Sequence, residues 1–305
     1  MGQGILRNRH QAVLDLYRPT LLRDIHYSGD SHLLDDALRC IGIDESDRAL
    51  QTNARLLDRI YDWMEKEYRV EYVYISEFLE QFVFPNEKLV ALTQTRLSAS
   101  VSDLITIDGD QLTVYEVKTE HDSLSRLSRQ IDSYLSVFDR MYVVAHESMY
   151  DSVLERIGGR PVGVYTVTDS GRFYKMRPAP LKVWYDDERP TYLRLASTYC
   201  SLERIVYMYY GEIPLVLSRE ENLTRLKKLF LAIPFLDRKR LVVQDMRRRA
   251  VRTGHETEVP RSLRALYYLY ADRYDTDTEW NRLERWLGLT RYQDESIYSL
   301  EDEKR

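Results

Sequence analysis

Three residues at one spacing carry the chemistry in this sequence. They lie in Ser102-Asp103-Leu104-Ile105-Thr106-Ile107-Asp108-Gly109-Asp110-Gln111-Leu112-Thr113-Val114-Tyr115-Glu116-Val117-Lys118. If Gly109-Asp110 form a two-residue hairpin loop, with Gly supplying the positive φ of a type II′ turn, Asp103 faces Glu116 across the ladder. Side chains alternate faces along a strand, so Glu116 and Lys118, two apart, join Asp103 on one side. A turn centred on Asp108-Gly109 instead leaves Asp103 as a diagonal neighbour of Glu116, still on that face.

Two carboxylates opposed at a Cβ separation of roughly 5 Å repel each other, which is unfavourable in a purely structural sheet. A bound cation removes the repulsion. Oxygen-only ligands of this kind suit Mg²⁺ or Mn²⁺, which keep several waters and accept phosphate oxygens. Lys118 beside the metal would orient or help deprotonate an attacking water and stabilise charge on a phosphate. That is the chemistry of phosphodiester hydrolysis. Glu-x-Lys on its own is a common solvated strand edge; the preceding Asp, the hairpin and a helix directly afterwards make the combination informative.

The surrounding pattern supplies the elements that must hold these residues. Val13, Leu14, Leu16 and Tyr17, then Leu56, Leu57, Ile60, Tyr61 and Met64, recur at helical spacing. The β-branched and aromatic residues from Glu71 to Phe84 predict a first strand. Leu104 to Ile107 and Leu112 to Val117 are the hairpin arms. With Asp122 as N-cap, Leu124, Leu127, Ile131, Tyr134, Leu135 and Phe138 trace one apolar helical stripe. A strand at Met141 to Ala145, a helix at Asp151 to Ile157 and a strand at Val162 to Val167 follow. Beyond Pro178 and Pro180, Tyr-, Leu- and Arg-rich helical patterns run to about Leu289. The expected organisation is a helical extension over 1–70, an α/β (α+β) core with a central mixed sheet over 71–185, and a C-terminal helical region over 186–305.

Asp103, Glu116 and Lys118, with the hairpin between them, resemble the core motif of the PD-(D/E)xK, or restriction-endonuclease-like, nuclease superfamily. The stretch Tyr115-Glu116-Val117-Lys118-Thr119-Glu120-His121-Asp122-Ser123-Leu124-Ser125-Arg126-Leu127, with Gln130-Ile131, Tyr134 and Val137-Phe138-Asp139, resembles a poorly characterised bacterial and phage family within it. The similarity is specific from about residue 100 to 147. It implies a restriction-endonuclease-like core, metal-dependent cleavage and a nucleic-acid substrate, with DNA favoured over RNA. Gln130 occupies the place where members of the superfamily often carry a Gln or Lys and is expected to reach the catalytic site from the helix; Tyr134, four residues on and on the same side of that helix, is a candidate nucleic-acid contact. Members often add an acidic residue from a preceding helix, for which Glu65, Glu67 and Glu77 are candidates.

Net charge is −5, but eleven Lys and Arg stand against four Asp and Glu between Leu217 and His255. Lys227, Lys228, Arg238, Lys239, Arg240, Arg247 and Arg248 in this run are the candidate phosphate contacts. A solvated helix face is the competing account. Among the 24 Tyr, the groups at Tyr207, Tyr209 and Tyr210 and at Tyr267, Tyr268, Tyr270 and Tyr274 fit core packing better than base stacking. Only Cys40 and Cys200 are present, there is no zinc or phosphate-loop motif, and no apolar run is of membrane-spanning length. A cytoplasmic protein is expected, with a protein partner or homo-oligomer left open. The alternative to a nuclease is a nucleic-acid-binding or assembly protein that keeps the fold without cutting.

Overall fold

The structure is a computed structural model that describes residues 11–17, 32–97, 100–185, 189–196, 198–212, 218–250, 260–264 and 277–290. The second tyrosine group, Arg252, His255 and the charged tail lie outside the described residues. The chain forms two compact units, residues 1–76 with 252–305, and residues 77–251. The boundary expected between residues 185 and 186 falls inside the second unit.

In the first unit lie α1 (His32–Cys40), α2 (Glu45–Ala49) and α3 (Asn53–Glu67). The spacing of Leu56, Leu57, Ile60, Tyr61 and Met64 puts all five on one buried face of α3. Thr52 caps that helix by accepting from the Arg55 N–H. Asn53 donates to the Trp286 carbonyl at 2.9 Å, and Glu65 accepts from Arg261 at 2.9 Å.

The strand expected from Glu71 to Phe84 is a helix: α4 (Glu71–Phe78) continues into a π-helical turn, Leu79–Val83. Val73, Tyr74, Ile75, Phe78, Leu79 and Val83 are all buried. A helix covered on most sides shows no polar stripe, so its β-branched and aromatic residues imitate a strand.

The second unit is built on a six-stranded mixed sheet. Its strands are β1 (Leu89–Leu97), β2 (Ser100–Asp108), β3 (Gln111–Lys118), β4 (Arg140–His146), β5 (Gly163–Val167) and β6 (Phe173–Arg177), in that spatial order. The β1–β2, β2–β3 and β5–β6 pairs are antiparallel, while β3–β4 and β4–β5 are parallel. The parallel pairs are joined through α5 (Leu127–Leu135) and α6 (Tyr150–Ile157), as the need for a long crossover requires. β1 and β6 are strands that the sequence pattern does not predict.

Alternation divides the sheet into two buried faces. Ile105, Ile107, Leu112, Val114, Val143, Ala145 and Val164 pack with Ile131 and Tyr134 of α5 and Val153 and Ile157 of α6. The same core takes in α7 (Tyr199–Tyr210), α8 (Arg219–Ala232) and α9 (Phe235–Ala250), which follow β6, through Ile205, Phe230 and Val242. Phe78 and Phe82 cover the other face, against Tyr115, Tyr165 and Phe173. α10 (Asp277–Gly288) returns to the first unit. Among the described residues no helix is long and apolar enough to cross a membrane.

Candidate active site

The β2–β3 register runs from Leu104↔Tyr115 to Asp108↔Gln111, so Gly109-Asp110 are the loop residues. Gly109 alone in that loop has positive φ, +53°, as a type II′ turn requires. Asp103 and Glu116 are the next positions in this register. There the ladder stops, and the Asp103 carboxylate accepts from the Val117 N–H at 2.7 Å in place of a backbone carbonyl. Asp103, Glu116 and Lys118 are all buried.

Glu116 continues the row of Leu112 and Val114, which points it at α5. Its Oε1 accepts from Lys118 Nζ at 2.6 Å and from the Gln130 amide. Its Oε2 accepts from the Tyr134 hydroxyl at 2.9 Å, a donor shared with the Val101 carbonyl at 3.0 Å. The i, i+4 spacing of Gln130 and Tyr134 therefore brings both to one carboxylate. Tyr134, expected from the sequence to touch nucleic acid, is fully buried and instead orients Glu116.

Burial acts to lower the Lys118 pKa, but the charges of Glu116 and Asp103, the Glu116 hydrogen bond and the charge of Asp122 outweigh it, and the pKa is raised. Lys118 is thus an ammonium at neutral pH. It also donates to the Val117 carbonyl at 3.1 Å, so two oxygens converge on a position that holds positive charge.

Asp122, expected as the N-cap of the following helix, folds back on Thr119, accepting from its N–H at 2.7 Å and its hydroxyl at 2.9 Å. Ser123 caps a short 3-10 turn, Leu124–Arg126, that leads into α5. The bonded Asp122 fixes the chain where it leaves Lys118, a local role that its position three residues after Thr119 makes available to sequence reading.

Of the candidate extra acids, Glu65 is paired with Arg261 in the first unit and Glu67 is exposed. Glu77 belongs to the sheet's unit and is buried. Its carboxylate fills the space beside Gly171 that a Cβ would occupy. At the end of β4, His146 bonds Ser148 Oγ through Nδ1 at 2.8 Å and Asp169 through Nε2 at 3.0 Å.

The basic run divides by role. Lys239 is held by both oxygens of buried Asp139, at 2.8 and 2.9 Å. Arg247 donates to the Gly109 carbonyl at 3.0 Å, Arg238 to the Leu231 carbonyl at 2.9 Å, and Arg240 pairs with Asp237 at 3.1 Å. Lys227, Lys228, Arg240 and Arg248 are exposed. Tyr207, Tyr209 and Tyr210, expected in the core, are 57%, 38% and 40% exposed.

Asp103, Glu116 and the Val117 carbonyl form a hard, oxygen-only donor set that fits Mg²⁺ or Mn²⁺ completed by water. The Gln130 amide oxygen is buried with no hydrogen-bond partner in the structure, which adds an unsatisfied acceptor beside Glu116. Among the described residues no group of three or more His, Cys, Asp or Glu is placed to hold a metal, so protein carboxylates alone would leave most of the coordination to solvent or substrate.

A family model described as bacteriophage P4 protein cII matches residues 63–183, a span that contains Asp103, Glu116, Lys118, Gln130 and Tyr134. No curated protein matches. Among solved structures, a protein of unknown function from Silicibacter pomeroyi is similar at 14% identity over 43% of this chain and 86% of its own, with a TM-score of 0.29.

Proposed function

We propose that this chain is a metal-dependent nuclease of the PD-(D/E)xK kind, with a restriction-endonuclease-like core, acting on DNA in preference to RNA. The observation that carries the reading is the convergence of Lys118, Gln130 and Tyr134 on the Glu116 carboxylate, beside an Asp103 whose carboxylate accepts from the Val117 N–H. Two acids opposed at the end of a hairpin repel each other, which is unfavourable in a purely structural sheet.

Asp103 and Glu116, with the Val117 carbonyl, would hold Mg²⁺ or Mn²⁺. When bound, the ion supplies Lewis-acid polarisation of a phosphodiester and lowers the pKa of a coordinated water. Gln130 and Tyr134 fix the direction of Glu116. Lys118 orients the attacking water and stabilises charge building on the phosphate. The exposed Lys227, Lys228, Arg240 and Arg248 are the side chains of the basic run that would meet backbone phosphates.

A second reading, a nucleic-acid-binding or assembly protein that does not cut, is favoured by one observation. Glu116 is 1% exposed and both its oxygens are engaged. Incubating labelled single- and double-stranded DNA and RNA with the protein in Mg²⁺, Mn²⁺ or EDTA separates the two. Cleavage restricted to the divalent ions supports the nuclease, and binding without cleavage under every condition supports the second reading.

A further inference from the structure

The helix that supplies Gln130 and Tyr134 carries further charge on the same flank. α5 links the parallel strands β3 and β4, so it runs back against β3, and its first turn lies over the end of that strand. Gln130 and Tyr134 fix the alignment by donating to Glu116. From Glu116 to Lys118 the strand advances about 6.6 Å, and from Gln130 back to Arg126 the helix recedes about 6 Å. Arg126 has φ −93° and ψ −12°, which continues the helical row of Gln130 and Tyr134. Arg126 therefore stands level with Lys118.

Arg126 and Arg129 are exposed, and among the described residues their side chains make no hydrogen bond or ion pair. Asp122, four residues before Arg126, is held by Thr119 instead. Asp132, on the opposite flank of α5, pairs with Arg160 at 3.0 Å. Arg194 reaches the flank of Arg126 and Arg129 from a later segment, donating to Ser133 Oγ at 3.4 Å and Ser136 Oγ at 3.5 Å. Like charges one helical turn apart repel each other, and a bound polyanion removes that cost.

We propose that Arg126 and Arg129, with Arg194 behind them, hold backbone phosphates of a nucleic acid beside the Glu116 and Lys118 site. The guanidinium fork matches phosphate oxygens in pairs, which a lysine cannot do. From Arg126 to Ser133 the helix rises about 10 Å, roughly three nucleotides at the 3.4 Å spacing of one strand. The inference rests on the nucleic-acid reading above and deepens it, since it sets the path of the substrate along α5. It is independent of the basic run in α8 and α9.

The test is binding of labelled single- and double-stranded DNA and RNA to the full chain in EDTA, followed by anisotropy over a series of salt concentrations. The proteins are wild type, the double variant Arg126→Gln with Arg129→Gln, and Arg156→Gln, which removes an exposed arginine of α6. The double variant is expected to melt at the wild-type temperature, since neither side chain is bonded within the chain. Its slope of log affinity against log salt should fall by about 1.8 on duplex or about 1.4 on single strands, whatever the base sequence. Arg156→Gln should keep the wild-type slope. An unchanged slope in the double variant overturns the proposal, as does an equal loss in Arg156→Gln or a lowered melting temperature that accounts for the weaker binding. A reduced slope in a wild-type protein that never cuts in Mg²⁺ refutes the nuclease reading and leaves the phosphate path standing. Absence of binding by folded wild type to every nucleic acid contradicts both.

Discussion

Lys118 donates to Glu116 Oε1 at 2.6 Å from two residues along the same strand, so a cation and its counter-ion are buried together where β3 ends. Their side chains are 10% and 1% exposed. Removing one member of such a pair leaves the other charge without compensation, which costs about 3 kcal/mol or more. Lys118→Met in metal-free protein is expected to lower stability on that scale, read from denaturant midpoints. A change below about 1 kcal/mol, the range of an exposed pair, contradicts the burial argument.

The pH dependence of that loss follows from the raised Lys118 pKa. A group whose folded pKa lies above its unfolded value contributes stability that is complete below the unfolded pKa, about 10.4 for Lys, and disappears as pH rises through the folded value. In EDTA the stability gap between wild type and Lys118→Met should be constant across neutral pH and shrink above about pH 10. A gap that widens with alkaline pH contradicts the assignment.

Asp139 ties α9 and Trp184 to the sheet. It accepts from the Leu112 N–H at 2.9 Å, the Trp184 indole at 2.9 Å and Lys239 at 2.8 Å. Asp139→Ala should destabilise the protein by about 3 kcal/mol, since it strands a largely buried ammonium and two donors. Equilibrium unfolding measures this, and a loss under about 1 kcal/mol means that the three donors find other partners.

The same hydrogen bonds sort the basic run into structural and surface members. For a chain that binds DNA, Lys227→Ala with Lys228→Ala should reduce the slope of log affinity against log salt by up to about 1.8, roughly 0.9 for each phosphate that is no longer neutralised. Lys239→Ala should leave the slope unchanged and lower stability instead. The reverse pattern would return Lys239 to the nucleic-acid surface.

Gly109 has φ +53° and open space where a Cβ would stand. Only the backbone conformation therefore opposes a side chain, and Gly109→Ala should cost about 1 kcal/mol. A neutral result would show that the turn adopts another type.

The hairpin is legible in the sequence because Gly109 fixes the turn and period-two alternation fixes the rest; the facing of Asp103 toward Glu116 follows from local rules. Gln130 and Tyr134 are legible as neighbours on one helix face, though not as two donors to one carboxylate. Glu71–Phe84 reads as a strand because burial on most sides erases the helical period. β1 and β6 are edge strands with interrupted apolar patterns, such as Thr93-Gln94-Thr95 and Tyr174-Lys175-Met176. The pairing of Lys239 with Asp139 joins residues 100 positions apart, which no local pattern encodes. Charge counting along the chain therefore assigns Lys239 and Arg247 to a ligand surface when folding uses them internally.

Cleavage of labelled single- and double-stranded DNA in Mg²⁺, Mn²⁺ or EDTA by wild type, Glu116→Gln and Lys118→Ala, each shown to be folded, decides whether this site cuts. The expected result is cutting by wild type that EDTA abolishes, and a loss of about a hundredfold or more in either variant, the scale for removing a group that stabilises transition-state charge. Metal-dependent cutting that survives both substitutions at the wild-type rate would contradict it and place the reaction elsewhere in the chain.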